Sequence, residues 1–366
     1  MAPQSEAELA GMIAGAAGPL AIRGGGTRGA DPVGVPLSLA GLGGIRLYEP
    51  EALTLVAGAG TPLAEVETLL AAHGQRLAFE PADWRGLLGS GGAPTIGGVV
   101  AANISGPRRI QAGAARDACL GLRFIDGTGM IAHAGGRVMK NVTGYDLVKL
   151  LAGSWGTLGV LTEVALKVLP VPEAEATLVV SGLDPAGAVA AMTAALGSPF
   201  EATGAARLPD GRVLVRVEGF AAAVAYRAGR MAALLEPFGA VKTVEGQGSA
   251  GLWRQVREVA PFQGRAGDVW RLVLPPSAAA GVAARLGDEV LLDWGGGLIW
   301  ALLPEGSDAR ALAAPFAGHA TLVRASAATR VRLPRFDPEP PAVAALAAGL
   351  RARFDPRGIL NPGLMG

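Results

Sequence analysis

Residues 24–29 read Gly24-Gly25-Gly26-Thr27-Arg28-Gly29 and formally satisfy G-x-G-x-x-G, the pattern of a dinucleotide-binding loop. In a doubly wound sheet that pattern opens a helix whose N-terminus meets the diphosphate. Here the chain continues Ala30-Asp31-Pro32-Val33-Gly34-Val35-Pro36, and Pro32 and Pro36 forbid a helix. The doubly wound reading fails on that context. What remains is a run of backbone N–H groups with no side chains in the way, a nest able to hold a diphosphate without a helix. A simple turn is the plainer alternative for a lone glycine motif.

The loop is not alone. Small residues recur at 94–106 (Pro94-Thr95-Ile96-Gly97-Gly98 through Ala101, Asn103 and Gly106), at 113–117 (Gly113 to Asp117), at 135–146 (Gly135-Gly136 to Gly144-Tyr145-Asp146) and at 153–160 (Gly153-Ser154-Trp155-Gly156 through Gly159-Val160). Each alone suits an ordinary turn. Together they point to one large planar ligand that the backbone approaches from several sides.

Around these loops the first 170 residues alternate short strands and helices. Strands are expected at Leu20–Arg23, 54–57 and 159–169, with a hairpin across Asp126-Gly127-Thr128-Gly129. Ser5 and Glu8 read as a capping box for an N-terminal helix. A second helix is expected from Pro62 to His73, with Thr61 as N-cap and Gly74 just past its end. From residue 173 to 335, strands at 174–181, 212–218, 269–274, 298–303 and 321–324 interleave with helices at 185–196 and 221–238, which suggests a smaller α+β domain on an antiparallel sheet. A final helix runs to about Phe354. The expected division is 1–172, 173–335 and a tail 336–366 that returns to the first unit, without an internal sequence repeat.

Composition narrows the chemistry. The 366 residues carry a net charge of +1, so nothing favours nucleic acid, and the arginine groups 108–109, 330–335 and 351–353 read as solvated faces. Cys119 is the only cysteine, which rules out an internal disulfide and a cysteine-ligated cluster within the chain. No apolar run is long enough for a membrane span, and Glu6 and Glu8 replace the basic start of a signal peptide, so the expected address is the cytoplasm. His73, His133 and His319 show no metal-ligand spacing, and no metal is expected.

The ordered set R-G-G-G-T, T-I-G-G-x-x-A-x-N-x-x-G, G-x-x-R-D, G-G-x-x-x-K-N-V-x-G-Y-D, G-S-x-G-T-L-G-V and a terminal F-D-P-x-G-I-L-N-P-G resembles the vanillyl-alcohol-oxidase-like, PCMH-type FAD-binding family. More narrowly it resembles the family of smaller FAD-binding subunits of bacterial glycolate oxidase. The resemblance is strong over 20–170 and in the tail, and scattered between. It implies an α+β fold with a two-lobed FAD-binding domain and a cap. It also implies FAD on Gly24, Gly25, Gly26 and Thr27 (diphosphate), on Thr95, Gly97, Gly98, Ala101 and Asn103 with Gly106, Gly113 and Asp117 behind them, and on Gly156, Gly159 and Val160. Gly25 is expected to leave room for the diphosphate, so that valine there would cost flavin before fold. Thr27 stands where covalently flavinylated relatives carry His, which implies non-covalent FAD, and Trp155 stands where the larger subunit has Glu.

Oxidising a 2-hydroxy acid needs a cation for the carboxylate and a base for the hydroxyl proton. Arg271 and Arg324 are the candidate cations, an interdomain ion pair being the plain alternative for each; no base is recognisable in the sequence. Three functions remain open. The chain is a subunit of a glycolate oxidase or dehydrogenase, working with a larger FAD-binding subunit and an iron–sulfur subunit at the inner face of the membrane. It is a self-sufficient FAD enzyme for another alcohol or hydroxy acid. Or it is a flavin-free scaffold. In the first case Trp253 or Trp294 is a candidate partner anchor, a core role being the alternative.

Overall fold

Two antiparallel sheets and a small parallel pair carry the structure, a computed structural model that describes residues 1–137 and 144–365. Strands β1 (Leu20–Arg23) and β2 (Val35–Ser38) pair in parallel across the glycine loop. The next layer is built from β3 (Ile45–Glu49), β4 (Thr54–Gly58), β5 (Gln75–Leu77), β6 (Cys119–Ile125), β7 (Ile131–Gly135) and β8 (Val160–Pro170). Its order is β3-β4-β8-β6-β7, with β5 also on β8. β8 is central. β4 and β6 pair with its two edges, and Val160, Leu161, Val164, Leu166 and Val168 are buried on both of its faces.

Local details follow the side chains. The Ser5 hydroxyl accepts the Glu8 N–H at 3.1 Å, capping the helix Glu6–Ala14, while the Glu8 carboxylate accepts from the N–H of Gln4 rather than of Ser5. The second helix runs Leu63–Ala72, one residue later than its cap pattern implies. The Thr61 hydroxyl donates to the Gly58 carbonyl at 2.6 Å instead of capping, and Pro62 takes the cap position. Gly74 ends it with φ +63°.

The second half holds β9 (Ala174–Val180), β10 (Gly204–Arg207), β11 (Val213–Gly219), β12 (Val241–Glu245), β13 (Asp268–Val273), β14 (Val290–Asp293), β15 (Leu298–Leu303) and β16 (His319–Arg324). They form one sheet of order β12-β9-β11-β10-β14-β15-β13-β16. The sequence shows no repeat, yet the topology is duplicated. Each half runs β-α-β-β-α-β, and the halves meet edge to edge where β10 pairs β14. A duplicated topology needs only the same alternation of buried and exposed positions, which unrelated residues satisfy equally well.

One face of this sheet is covered by the helices Pro185–Leu196, Ala221–Leu235 and Ala279–Leu286. The other faces the first layer, and a single apolar core runs across both, from Leu55, Phe79 and Val164 to Trp253, Trp294 and Trp300. A buried ion cluster rivets the same seam. Arg216 grips both Glu80 oxygens at 2.8 and 2.9 Å, and Glu218 takes Arg76 and Arg108. The two arginines on Glu218, with Arg216, outweigh its burial and hold its carboxyl down at about 2.

After the helix Pro341–Phe354 the chain returns to the start. Asn361 receives the Ile22 N–H at 2.7 Å and donates to the Trp155 carbonyl at 2.9 Å, tying tail, β1 and the 153–160 loop together. No helix among the described residues is long and apolar enough to cross a membrane.

Candidate functional site

A cleft opens between the glycine loop, the 95–102 segment and the 155–161 segment. Gly24, Gly25, Gly26, Thr27, Thr95, Gly97, Gly98, Ala101, Gly156, Gly159 and Val160 all line it. The glycines there have two different jobs. A Cβ on Gly25 would sit 1.6 Å from the Ala93 carbonyl oxygen, and one on Gly97 would sit 2.5 Å from the Ala59 Cβ. Those positions let backbones touch. Gly26, at φ +68°, has nothing within 4 Å of its missing Cβ and looks into open space. The expectation for Gly25 is therefore corrected: its side is occupied by residues 93–94, and Gly26 is the position that keeps ligand space clear.

The loop also leaves donors free. Among the described residues, no protein acceptor is found for the N–H groups of Gly24, Gly25, Gly26 and Thr27. Four unpaired donors in sequence on a concave wall suit an anion with several oxygens.

Beyond the cleft, sharing Ala102 and Trp155 with it, lies a second, larger cavity between the two sheets. Asn103 and Gly106 line its floor, and Arg271, Asp293, Trp300 and His319 line its roof. The roof residues lie on one face of the duplicated sheet: Arg271 pairs with Trp300 on β15 and with Thr321 on β16, and Asp293 pairs with Leu298. Trp155, at φ +55°, stands between the two spaces. The Arg335 guanidinium lies 4.8 Å from its ring centroid and donates to the Arg28 and Gly29 carbonyls, clamping the glycine loop to the tail.

The cavity is cationic. Arg109 and Arg271 both stack on Trp294, at 4.5 and 5.2 Å from its ring centroid. Neither meets a carboxylate or hydrogen-bond acceptor among the described residues. Burial, and then Arg109, pushes Arg271 down to about 10. Asp293 behaves oppositely: burial first, with Glu80 adding to it, pushes its carboxyl up to about 7 against the pull of the Trp294 N–H, Arg216 and Arg271. Burial and Arg271 hold His319 below its ordinary value.

Several expectations are revised. Arg324 does not face the cavity; it donates to the carbonyls of Leu87, Phe262, Arg265 and Gly267, a structural clamp. Gly113 and Asp117 line neither space: Gly113 makes a turn at φ +81°, and Asp117 accepts the Ala114 N–H and pairs with Lys149. Trp253 and Trp294 are buried, donating to Thr177 and to the Gly106 carbonyl, so neither is an exposed partner anchor. Arg108, Arg109 and Arg335 are wall and seam residues rather than solvated ones. Of the 135–146 motif, residues 138–143 lie outside the described residues. Arg28, Arg109, Trp155, Asp293, His319 and Asn361 were not singled out as site residues in the sequence. A buried Arg28 nitrogen without a partner in this wall marks one more donor.

The family model for an FAD binding domain matches residues 1–135. The chain is 36% identical over 326 residues to "Glycolate oxidase subunit GlcE" of Escherichia coli (strain K12), covering 88% of this chain and 84% of that one. It is 44% identical over 84 residues to "Glycolate oxidase subunit GlcD" of Bacillus subtilis (strain 168), covering 23% and 18%. Among solved structures, 4-ethylphenol oxidase from Gulosibacter chungangensis shares the fold, with TM-score 0.74 at 13% identity over 100% of this chain and 88% of the other. Crystalline p-cresol methylhydroxylase does so with TM-score 0.72 at 12% identity, over 99% and 87%. FAD is the cofactor, and the residues present fit it: unpaired N–H donors for a diphosphate, the open side of Gly26, and a cleft continuous with a second cavity for the ring end.

Proposed function

The chain belongs to the family of the glycolate oxidase subunit GlcE, and from that premise we propose that it oxidises a small 2-hydroxy acid, glycolate first, as the FAD-binding subunit of a glycolate oxidase complex. It is an FAD-dependent oxidoreductase acting on CH–OH donors. Bound FAD supplies the two-electron acceptor; the chain's residues hold and orient. Gly24, Gly25, Gly26 and Thr27 would hold the diphosphate, Thr95, Gly97 and Gly98 the stretch beside it, and Asn103 and Gly106 the ring end. The flavin-free scaffold is disfavoured by a cleft whose donors have no protein acceptor.

One observation carries the substrate class. Arg271 is a desolvated cation with no protein partner among the described residues, in the wall facing the ring end of the cleft. Leaving such a group without an anion is costly, and a substrate carboxylate satisfies it. Trp155 and Arg335 stand over the passage, shielding the cavity from the cleft mouth. Non-covalent attachment is supported by Thr27, which stands where covalently flavinylated relatives carry His. On this reading residues 1–172 bind FAD, 173–335 form the cap and 336–366 return.

The complex contains further subunits, and we propose that they are a larger FAD-binding subunit and an iron–sulfur subunit at the inner face of the membrane. A lone buried Cys119, its thiol pushed up to about 12 by burial, cannot hold a cluster that would carry electrons onward. The test is anaerobic mixing of the purified yellow chain with glycolate, D-lactate and related 2-hydroxy acids. Bleaching by one of them, with slow steady turnover until partners are added, is expected. Flavin that none of them reduces, alone or in the complex, would refute the function. Acid precipitation should release all the colour.

A further inference from the structure

We infer that Asp293 is the group that accepts the hydroxyl proton of the substrate, a role that rests on the functional reading above and makes the oxidation half-reaction this chain's own. The reaction sets the requirement. The C–H bond beside the hydroxyl breaks with its electron pair leaving for the bound flavin. The O–H bond breaks with its proton leaving for a base, and its electrons become the second C–O bond of the 2-oxo acid.

The hydroxyl sits one carbon from the carboxylate, so the base must lie close to the cation that binds the carboxylate. Among the described residues, only Asp293 and His319 in the cavity wall can accept a proton at neutral pH. Asp293 is the one buried at the seam with the ring-end layer. It closes β14, and the next residue, Trp294, donates its indole N–H to the Gly106 carbonyl at 3.0 Å. Asp293 thus stands at the seam with the layer that lines the ring end of the cleft. His319 lies in the same cross-strand row, opposite Val273 and on the strand beside that of Arg271, but it is exposed at the open edge of the sheet.

The carboxylate is also held and aimed. One oxygen accepts the Trp294 N–H at 2.7 Å, which fixes the group, and the other has no hydrogen-bond partner among the described residues. The charged groups around it are Arg271 from β13, Arg216 from β11 and Glu80 from the first layer, with Arg109 and His319 beyond Arg271. Burial leaves it poised near neutrality, where a base takes a proton effectively and still returns it to solvent.

The test uses the full chain loaded with FAD, with reduction followed anaerobically by loss of the flavin's colour. Asp293→Asn should keep its flavin and bind oxalate, yet be reduced about 100-fold or more slowly. In the wild type the rate should rise with pH through about 7, because the unprotonated carboxylate does the work, and the variant should lose that rise. His319→Asn should change the rate only a few-fold. A second readout needs no turnover. Oxalate placed beside Asp293 raises that carboxyl's proton affinity, so binding near pH about 7 should take up protons, seen as heats that depend on the buffer. Asp293→Asn should abolish the uptake. Wild-type reduction rates in Asp293→Asn, or rate loss in His319→Asn alone, would overturn the assignment while leaving the functional reading intact. A wild-type flavin that no 2-hydroxy acid reduces would instead sink that reading.

Discussion

The cleft at residues 24–27 and 95–98 is walled by main chain, whereas the cavity beyond Trp155 is walled by side chains of the cap sheet. Main chain can line a site only where side chains are absent, and that forces runs of glycine and alanine that stay contiguous in sequence. Side chains on a sheet face come from alternate positions of strands far apart in the chain. Arg109, Arg271, Asp293 and His319 lie on four different elements and carry no local signature. One region therefore advertises itself and the other does not.

The comparison breaks first in the glycine loop, where neighbouring substitutions should fail differently. Gly26→Val adds a branched side chain to open cleft space at a φ of +68°; it should leave a folded, colourless protein. Gly25→Val drives its Cβ into the Ala93 carbonyl at 1.6 Å and should yield little folded protein at all. Flavin content and the thermal melt of both variants decide this. A yellow Gly26→Val protein would show that the diphosphate lies elsewhere.

That pair also marks how far sequence carries. The failed helix after Gly29, the glycine segments and the β-branched and leucine residues of β8 place β1, β4, β6, β7 and β8, while β2, β3 and β5 were not legible. Which glycine faces ligand and which faces backbone was not legible, because both leave the same letter. In the second sheet β9, β11, β13, β15 and β16 were legible, but β10, β12, β14 and the duplicated topology were not, since β-strand burial constrains polarity rather than identity. Arg271 and Arg324 look alike in sequence; only the surroundings make one a cation without a protein partner among the described residues and the other a clamp on four carbonyls.

Those two arginines give the next, smaller contrast. Arg271→Leu should weaken oxalate binding and raise KM by about 10- to 150-fold, the worth of about 1.5–3 kcal/mol for a hydrogen bond to a charged group. The melting temperature should not fall, because the variant also loses an unpartnered buried charge. Arg324→Leu strands buried carbonyls and should cost about 1–3 kcal/mol of stability with little change in KM. Exchange of those two outcomes would reverse the roles assigned to the two residues.

The last contrast is a pH dependence of stability. The folded Asp293 carboxyl sits at about 7, above its ordinary 3.8, so between those values the native state holds more protons than the unfolded chain. Stability from this group therefore falls as pH rises from about 4 to about 7, and the cost is complete above that. Asp293→Asn removes the cost. The variant should gain melting temperature relative to wild type at pH about 8 and gain less at pH about 5. An equal shift at both would mean the carboxyl is not raised.

The most direct measurement of the whole account is a crystal structure of the chain with FAD and oxalate bound. Diphosphate density is expected on the N–H groups of Gly24 to Thr27, and the flavin ring beside Asn103 and Gly106. Oxalate is expected on Arg271, within hydrogen-bonding reach of Asp293. FAD in the cleft with oxalate bound elsewhere, or Arg271 and Asp293 turned away from it, would contradict the claim that these two unlike regions form one active site.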